Sequence, residues 1–132
     1  MEMLERYINE IEEDLKIDQF NIKEASLKSP GRKHFWVSRL INHKRNLQSL
    51  ENKKLDLKKQ IMDQIHDQSP VKLSTYTVDK TSDDSGMIRE IQVKINEEKL
   101  IIEFLEKTEK IFSSLTYDIK NIIEIMKLEQ QP

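Results

Sequence analysis

At 132 residues the chain has room for one domain. Its 35% charged and 36% hydrophobic residues, with only 2 Gly and 3 Pro, are the make-up of long helices or a coiled coil. Two glycines exclude the Gly-rich phosphate loops, and the lack of cysteine excludes disulfides, thiolate metal sites and a cysteine nucleophile, in keeping with a reducing cytoplasm. The net charge of −2 conceals a split: residues 29–62 hold nine Lys/Arg against Glu51 and Asp56, a local excess of +7, while the segments before and after are net acidic.

The chain opens on MEMLERYINEIEEDL, acidic and amphipathic, and neither a secretory signal nor a membrane span. Leu4, Tyr7, Ile8, Ile11 and Leu15 fall on one stripe of a helix over 2–15. Asp18 can cap a second, short helix carrying Phe20, Ile22, Ala25 and Leu27, which Lys28-Ser29-Pro30 is expected to end. Ser29 and Pro30 then read as the start of a long basic helix. From Trp36 a 4-3 spacing runs through Leu40, His43, Leu47, Leu50, Lys54, Leu57 and Ile61. Lys33 and Lys54 lie on this seam, Lys44 and Lys58 along one flank, Arg39 and Lys53 along the other. Either these side chains snorkel to water or the face meets an anionic partner.

From Asp67 to Gly86 polar residues dominate and helical periodicity fades, so a flexible connection is expected there. Within it VKLSTYTV (71–78) alternates and is β-branched, which leaves a short strand open. Asp83, Asp84 and Ser85 offer caps for a final helix. There Ile101, Leu105, Thr108, Phe112, Leu115, Ile119, Ile122 and Met126 repeat the 4-3 spacing, and further isoleucines widen the face. Ser113, Ser114 and Thr116 could bend it. So broad an apolar face needs more cover than two small helices supply. Ile101, Leu105, Phe112, Leu115, Ile119, Ile122 and Met126 are therefore the candidate oligomerisation surface.

None of His34, His43 and His66 has a metal-ligand spacing, and His43, on the seam, reads as a satisfied core histidine. No nucleophile, acid–base pair or metal set emerges, so the chain reads as a non-enzyme without metal or cofactor. Trp36 stands among Arg32, Lys33, His34, Phe35 and Arg39, an interleaving of rings and cations that suits single-stranded nucleic acid. Because it opens the apolar seam, it reads first as a core anchor, with base stacking the alternative. The basic excess favours an anionic partner. Its candidate contacts are Arg32, Lys33, Arg39, Lys44, Arg45, Lys53, Lys54, Lys58 and Lys59.

In order, spacing and length the chain resembles the UvsY-type recombination mediators of tailed phages. It shares an acidic first helix, a Trp with basic neighbours, a stretch of LENKKLDLKKQ type, a polar connection and the pattern IIEFLEKTEKIF…TYDIKNIIEIMK. The resemblance implies an all-α chain of long helices in a bundle or coiled-coil arrangement, assembling into a hexameric or heptameric ring-like homo-oligomer. It implies binding of single-stranded DNA and loading of a RecA-like recombinase onto strands covered by single-strand-binding protein. It places DNA contacts at Lys53, Lys54, Leu57 and Lys58, while Gln60 stands where an arginine is expected, with Lys59 beside it. The expected division is residues 1–66 for the N-terminal helices and basic DNA-binding helix, 67–86 for the connection, and 87–132 for oligomerisation. A cytoplasmic protein without membrane contact follows. The alternative is a coiled-coil scaffold whose basic helix docks acidic protein partners; a membrane-surface adaptor is disfavoured, because the basic helix lacks a cationic face opposite a greasy one.

Overall fold

In a computed structural model, which describes residues 2–131, four helices follow one another: α1 (Glu2–Asp14), α2 (Ile22–Gln68), α3 (Thr75–Asp83) and α4 (Gly86–Gln130). The protein is all-α, with no strand among the described residues. No helix among them is long and apolar enough to cross a membrane. Two compact units form, and they interleave along the chain. One gathers α1, α2 up to Asn42 and α4 from Ile101; the other is built from His43–Leu100.

In the first unit α1 buries Tyr7 and Ile11, α2 buries Ile22, Trp36 and Leu40, and α4 buries Ile101, Ile102, Leu105, Phe112, Leu115 and Ile119. The 4-3 seams expected of the two long helices therefore meet inside one chain. Here α2 and α4 run antiparallel, with Lys33 Nζ donating to Ser113 Oγ at 3.2 Å and Pro30 lining a cleft with Phe112 and Ile119. Burying Tyr7 and Ile11 supplies roughly 3–6 kcal/mol together towards seating α1.

This packing corrects the oligomerisation reading. Ile101, Leu105, Phe112, Leu115 and Ile119 are 1–7% exposed, and Ile122 and Met126 are half-buried. The five buried side chains are covered by their own chain and have nothing to offer a second copy. The apolar surface left on α4 is different: Leu100, Ile111, Tyr117, Ile123, Ile125 and Leu128.

The helix end expected at Lys28-Ser29-Pro30 does not occur, for α2 runs 47 residues with Pro30 inside it. The cap lies upstream, where Asp18 Oδ1 accepts from the amides of Phe20 (2.8 Å) and Asn21 (3.0 Å). Pro30 denies the Ser26 carbonyl its helical partner, but Ser26 is exposed, and Ile22 on one side and Trp36 on the other are held by the core. Of the four apolar residues expected to face inward here, Phe20 and Leu27 are exposed.

Residues 71–78, where the sequence leaves a strand open, lead instead into α3. Ser74 caps it with extended backbone (φ −67°, ψ 152°), its side chain accepting from the Thr77 amide at 3.1 Å. Val78 and Ser82, both fully buried, form an i, i+4 stripe that fixes the helix against its unit. Packing and a cap override the β-branched composition. Asp84 closes α3, and α4 starts after Ser85, whose carbonyl accepts from the Arg89 amide at 3.0 Å. No break interrupts α4 at 113–116, for the helix is continuous from Gly86 to Gln130, and the Ser113 hydroxyl donates to the Glu109 carbonyl at 3.1 Å.

Candidate nucleic-acid interface

The basic stretch of α2 divides between the units, and its cations differ in kind. Arg32, Lys33 and Arg39 belong to the first unit and are engaged within it. Arg32 donates from Nε to both oxygens of Asp14 at 3.0 Å. Arg39 Nη1 sits 2.8 Å from Glu10 Oε2, and its guanidinium lies over the rings of Phe35 (4.1 Å), Tyr7 (4.5 Å) and Trp36 (4.8 Å). Lys33 holds Ser113. Arg32 and Arg39 dock the acidic α1 onto α2.

Trp36 is the centre of that docking and is not a stacking platform. It is 2% exposed, its Nε1–H donates to Asp14 Oδ2 at 2.7 Å, and Tyr7 meets it edge-on with ring centroids 5.8 Å apart. A nucleobase would have to displace this core to reach the indole face. The indole is a core anchor.

The second unit presents Lys44, Arg45, Lys53, Lys54, Lys58 and Lys59 from α2. Lys44, Arg45, Lys53 and Lys59 are exposed, as is Gln60 beside Lys59. Lys54, on the inward seam, is half-buried and donates to Gln92 Oε1 at 2.6 Å. Gln92 in turn donates to Asn96 Oδ1 at 2.8 Å. An amide partner holds the ammonium in place without cancelling its charge. Among the described residues no carboxylate pairs with Lys53, Lys54 or Lys59.

Lys58 differs. Its ammonium lies 2.7 Å from Asp79 Oδ1 and 3.0 Å from Asp83 Oδ1, both on α3. The hydrogen bond to Asp79, then that to Asp83, raises its pKa above the ordinary lysine value, so it is charged at neutral pH. Asp79 and Asp83 are the functional candidates that sequence reasoning missed. Their i, i+4 spacing was the available signal, but it counts only once 75–83 is helical. Beside this triad Leu55, Lys59, Met62, Asp63 and His66 line an open groove of about 650 Å³ with Lys58 and Asp79.

His43 is buried as expected, with Nδ1 2.7 Å from Glu98 Oε2, and ties α2 to α4 within the second unit. His34 and His66 are exposed. No group of three or more His, Asp or Glu able to hold a metal ion occurs among the described residues.

The arrangement is a stretch of helix with cations spread around it, several free of acidic partners, and one cation held by two carboxylates of α3. It can neutralise a row of phosphates and carries no base-specific features. Neither the search of curated proteins nor that of solved structures found a match. The family model described as recombination, repair and ssDNA binding protein UvsY matches residues 10–131, and the chain belongs to that family.

Proposed function

We propose that the protein is a recombination mediator that binds single-stranded DNA through the 43–68 part of α2 and helps load a RecA-like recombinase onto strands covered by single-strand-binding protein. It acts as a ring-like homo-oligomer, so that the same cationic stretch recurs around the ring. The observation that carries this reading is that Lys53, Lys54 and Lys59 keep charges no carboxylate cancels, within a family whose description names binding of single-stranded DNA. Repeated weak contacts to phosphate give binding that ignores sequence and falls steeply with salt.

The test is fluorescence anisotropy with labelled single-stranded and duplex DNA over a salt series. Single strands should bind regardless of sequence. Changing Lys53, Lys54 and Lys59 together to Ala should flatten the log–log salt slope by roughly 2, at about 0.7 for each phosphate no longer neutralised, with helicity intact. The purified protein should also shorten the lag of a RecA-like ATPase on strands coated with single-strand-binding protein. Wild-type protein that fails to bind DNA would favour the scaffold alternative.

A further inference from the structure

In the second unit one lysine of the basic stretch is claimed by two carboxylates. Lys58 has three N–H donors; two are spent on Asp79 and Asp83, at 2.7 and 3.0 Å. The triad carries a net charge of −1, so a phosphate approaching Lys58 is repelled. Its neighbours Lys53, Lys54 and Lys59 have no such guard. We propose that α3 is a built-in competitor for DNA: Asp79 and Asp83 occupy Lys58 in the free chain and give it up to a phosphate when a strand binds.

The placement suits exchange. The Asp79 and Asp83 side chains are 49% and 48% exposed, against 23% for Lys58. Bridges so open to solvent contribute little, so a strand already anchored on the neighbouring lysines can displace them. Val78 and Ser82, fully buried on the same short helix, keep α3 seated while the two carboxylates swing away. A nine-residue helix would not persist alone; seated by that stripe, it can hold acid against the lysine without locking it.

The exchange has a thermodynamic signature. Binding phosphate to a bare lysine releases a counterion from DNA. At Lys58 the freed carboxylates take up cations from solution, which offsets that release. α3 therefore lowers affinity and makes the salt dependence shallower, restraining the protein from holding a strand too long.

This inference rests on the reading that α2 contacts DNA around Lys58, and the experiment separates the two. Asp79→Asn with Asp83→Asn keeps shape and exposure while removing both charges. In anisotropy titrations with labelled oligo-dT, affinity should rise about three- to tenfold and the salt slope should steepen by about 0.7. Glu90→Gln with Glu97→Gln, both exposed on α4, removes the same charge away from Lys58 and should give a clearly smaller gain. Adding Lys58→Ala to the Asp79/Asp83 variant should abolish the gain. A double variant no tighter than wild type, or one matched by the Glu90/Glu97 control, overturns the competitor role. Full salt-sensitive binding by the Lys53/Lys54/Lys59→Ala variant would instead show that the binding site itself is elsewhere.

Discussion

Replacing Trp36 by Phe separates the two roles a lone tryptophan in a basic stretch could play. The substitution removes the 2.7 Å bond from Nε1–H to Asp14. A hydrogen bond to a charged acceptor contributes about 1.5–3 kcal/mol, and the low end applies, because Arg32 still holds both Asp14 oxygens. The smaller ring also gives up about 1 kcal/mol of buried apolar surface. A loss of about 2–3 kcal/mol follows, which a domain stable by about 5–15 kcal/mol survives. With a urea dependence of about 1–3 kcal/mol per molar, the unfolding midpoint should fall by roughly 1–2 M. Affinity for single-stranded DNA should stay within about twofold, since the indole touches only its own core. Base stacking on an aromatic ring is worth about 1–3 kcal/mol, which would appear as a roughly five- to 150-fold loss. Trp36 is the only tryptophan, so its emission in the wild type gives a second reading and should barely change when oligo-dT is added. Strong quenching, together with a tenfold loss of affinity in a Trp36→Phe variant of unchanged stability, would refute the buried-anchor assignment.

Ser74→Ala removes the α3 cap and should cost about 1 kcal/mol. Hydrogen exchange should quicken at 75–83 and stay unchanged in α1; a uniform change across the chain would contradict a local role. The wild type should scatter light as a species larger than 15.8 kDa, and Ile125→Asp with Leu128→Asp, both exposed, should shrink it while keeping helicity. Ile119→Asp, by contrast, buries a charge and should unfold the chain; a wild type running only as a monomer at micromolar concentration would end the assembly reading. Purified protein should hydrolyse neither ATP nor nucleic acid, and turnover that disappears on changing one of its own carboxylates would reverse that expectation.

What the sequence reveals is the part governed by periodicity. The seams of α2 and α4, the stripe of α1 and the Asp18 cap are legible because a helix repeats every 3.6 residues and burial follows that repeat. Pro30 misleads because local rules place it at a helix start, whereas Ile22, Trp36 and Leu40 are all held by one core, and that tertiary packing outweighs one missing hydrogen bond. α3 misleads because its residues favour strands or turns, and only Val78 and Ser82, meeting the rest of their unit, make it a helix. At the site the cations are legible from charge alone. Which of them are engaged is not, since Glu10, Asp14, Asp79 and Asp83 lie 18 to 29 residues in sequence from the cations they hold. The apolar width of α4 is legible too, but not that its seam is spent within the chain.

The bond between Lys54 and Gln92 has a consequence for the entropy of binding. A lysine side chain free in water carries about 2 kcal/mol of rotamer freedom, which Lys53 and Lys59 forfeit on meeting a phosphate. Lys54 has already forfeited much of it to Gln92, at 2.6 Å, and it retains two further N–H donors. Its contact therefore comes preorganised, and the first phosphate to settle should do so there. Gln92 thus matters through what it leaves intact: a glutamate in its place would hold the lysine as firmly and extinguish the charge, while a leucine would keep the charge and let the side chain wander.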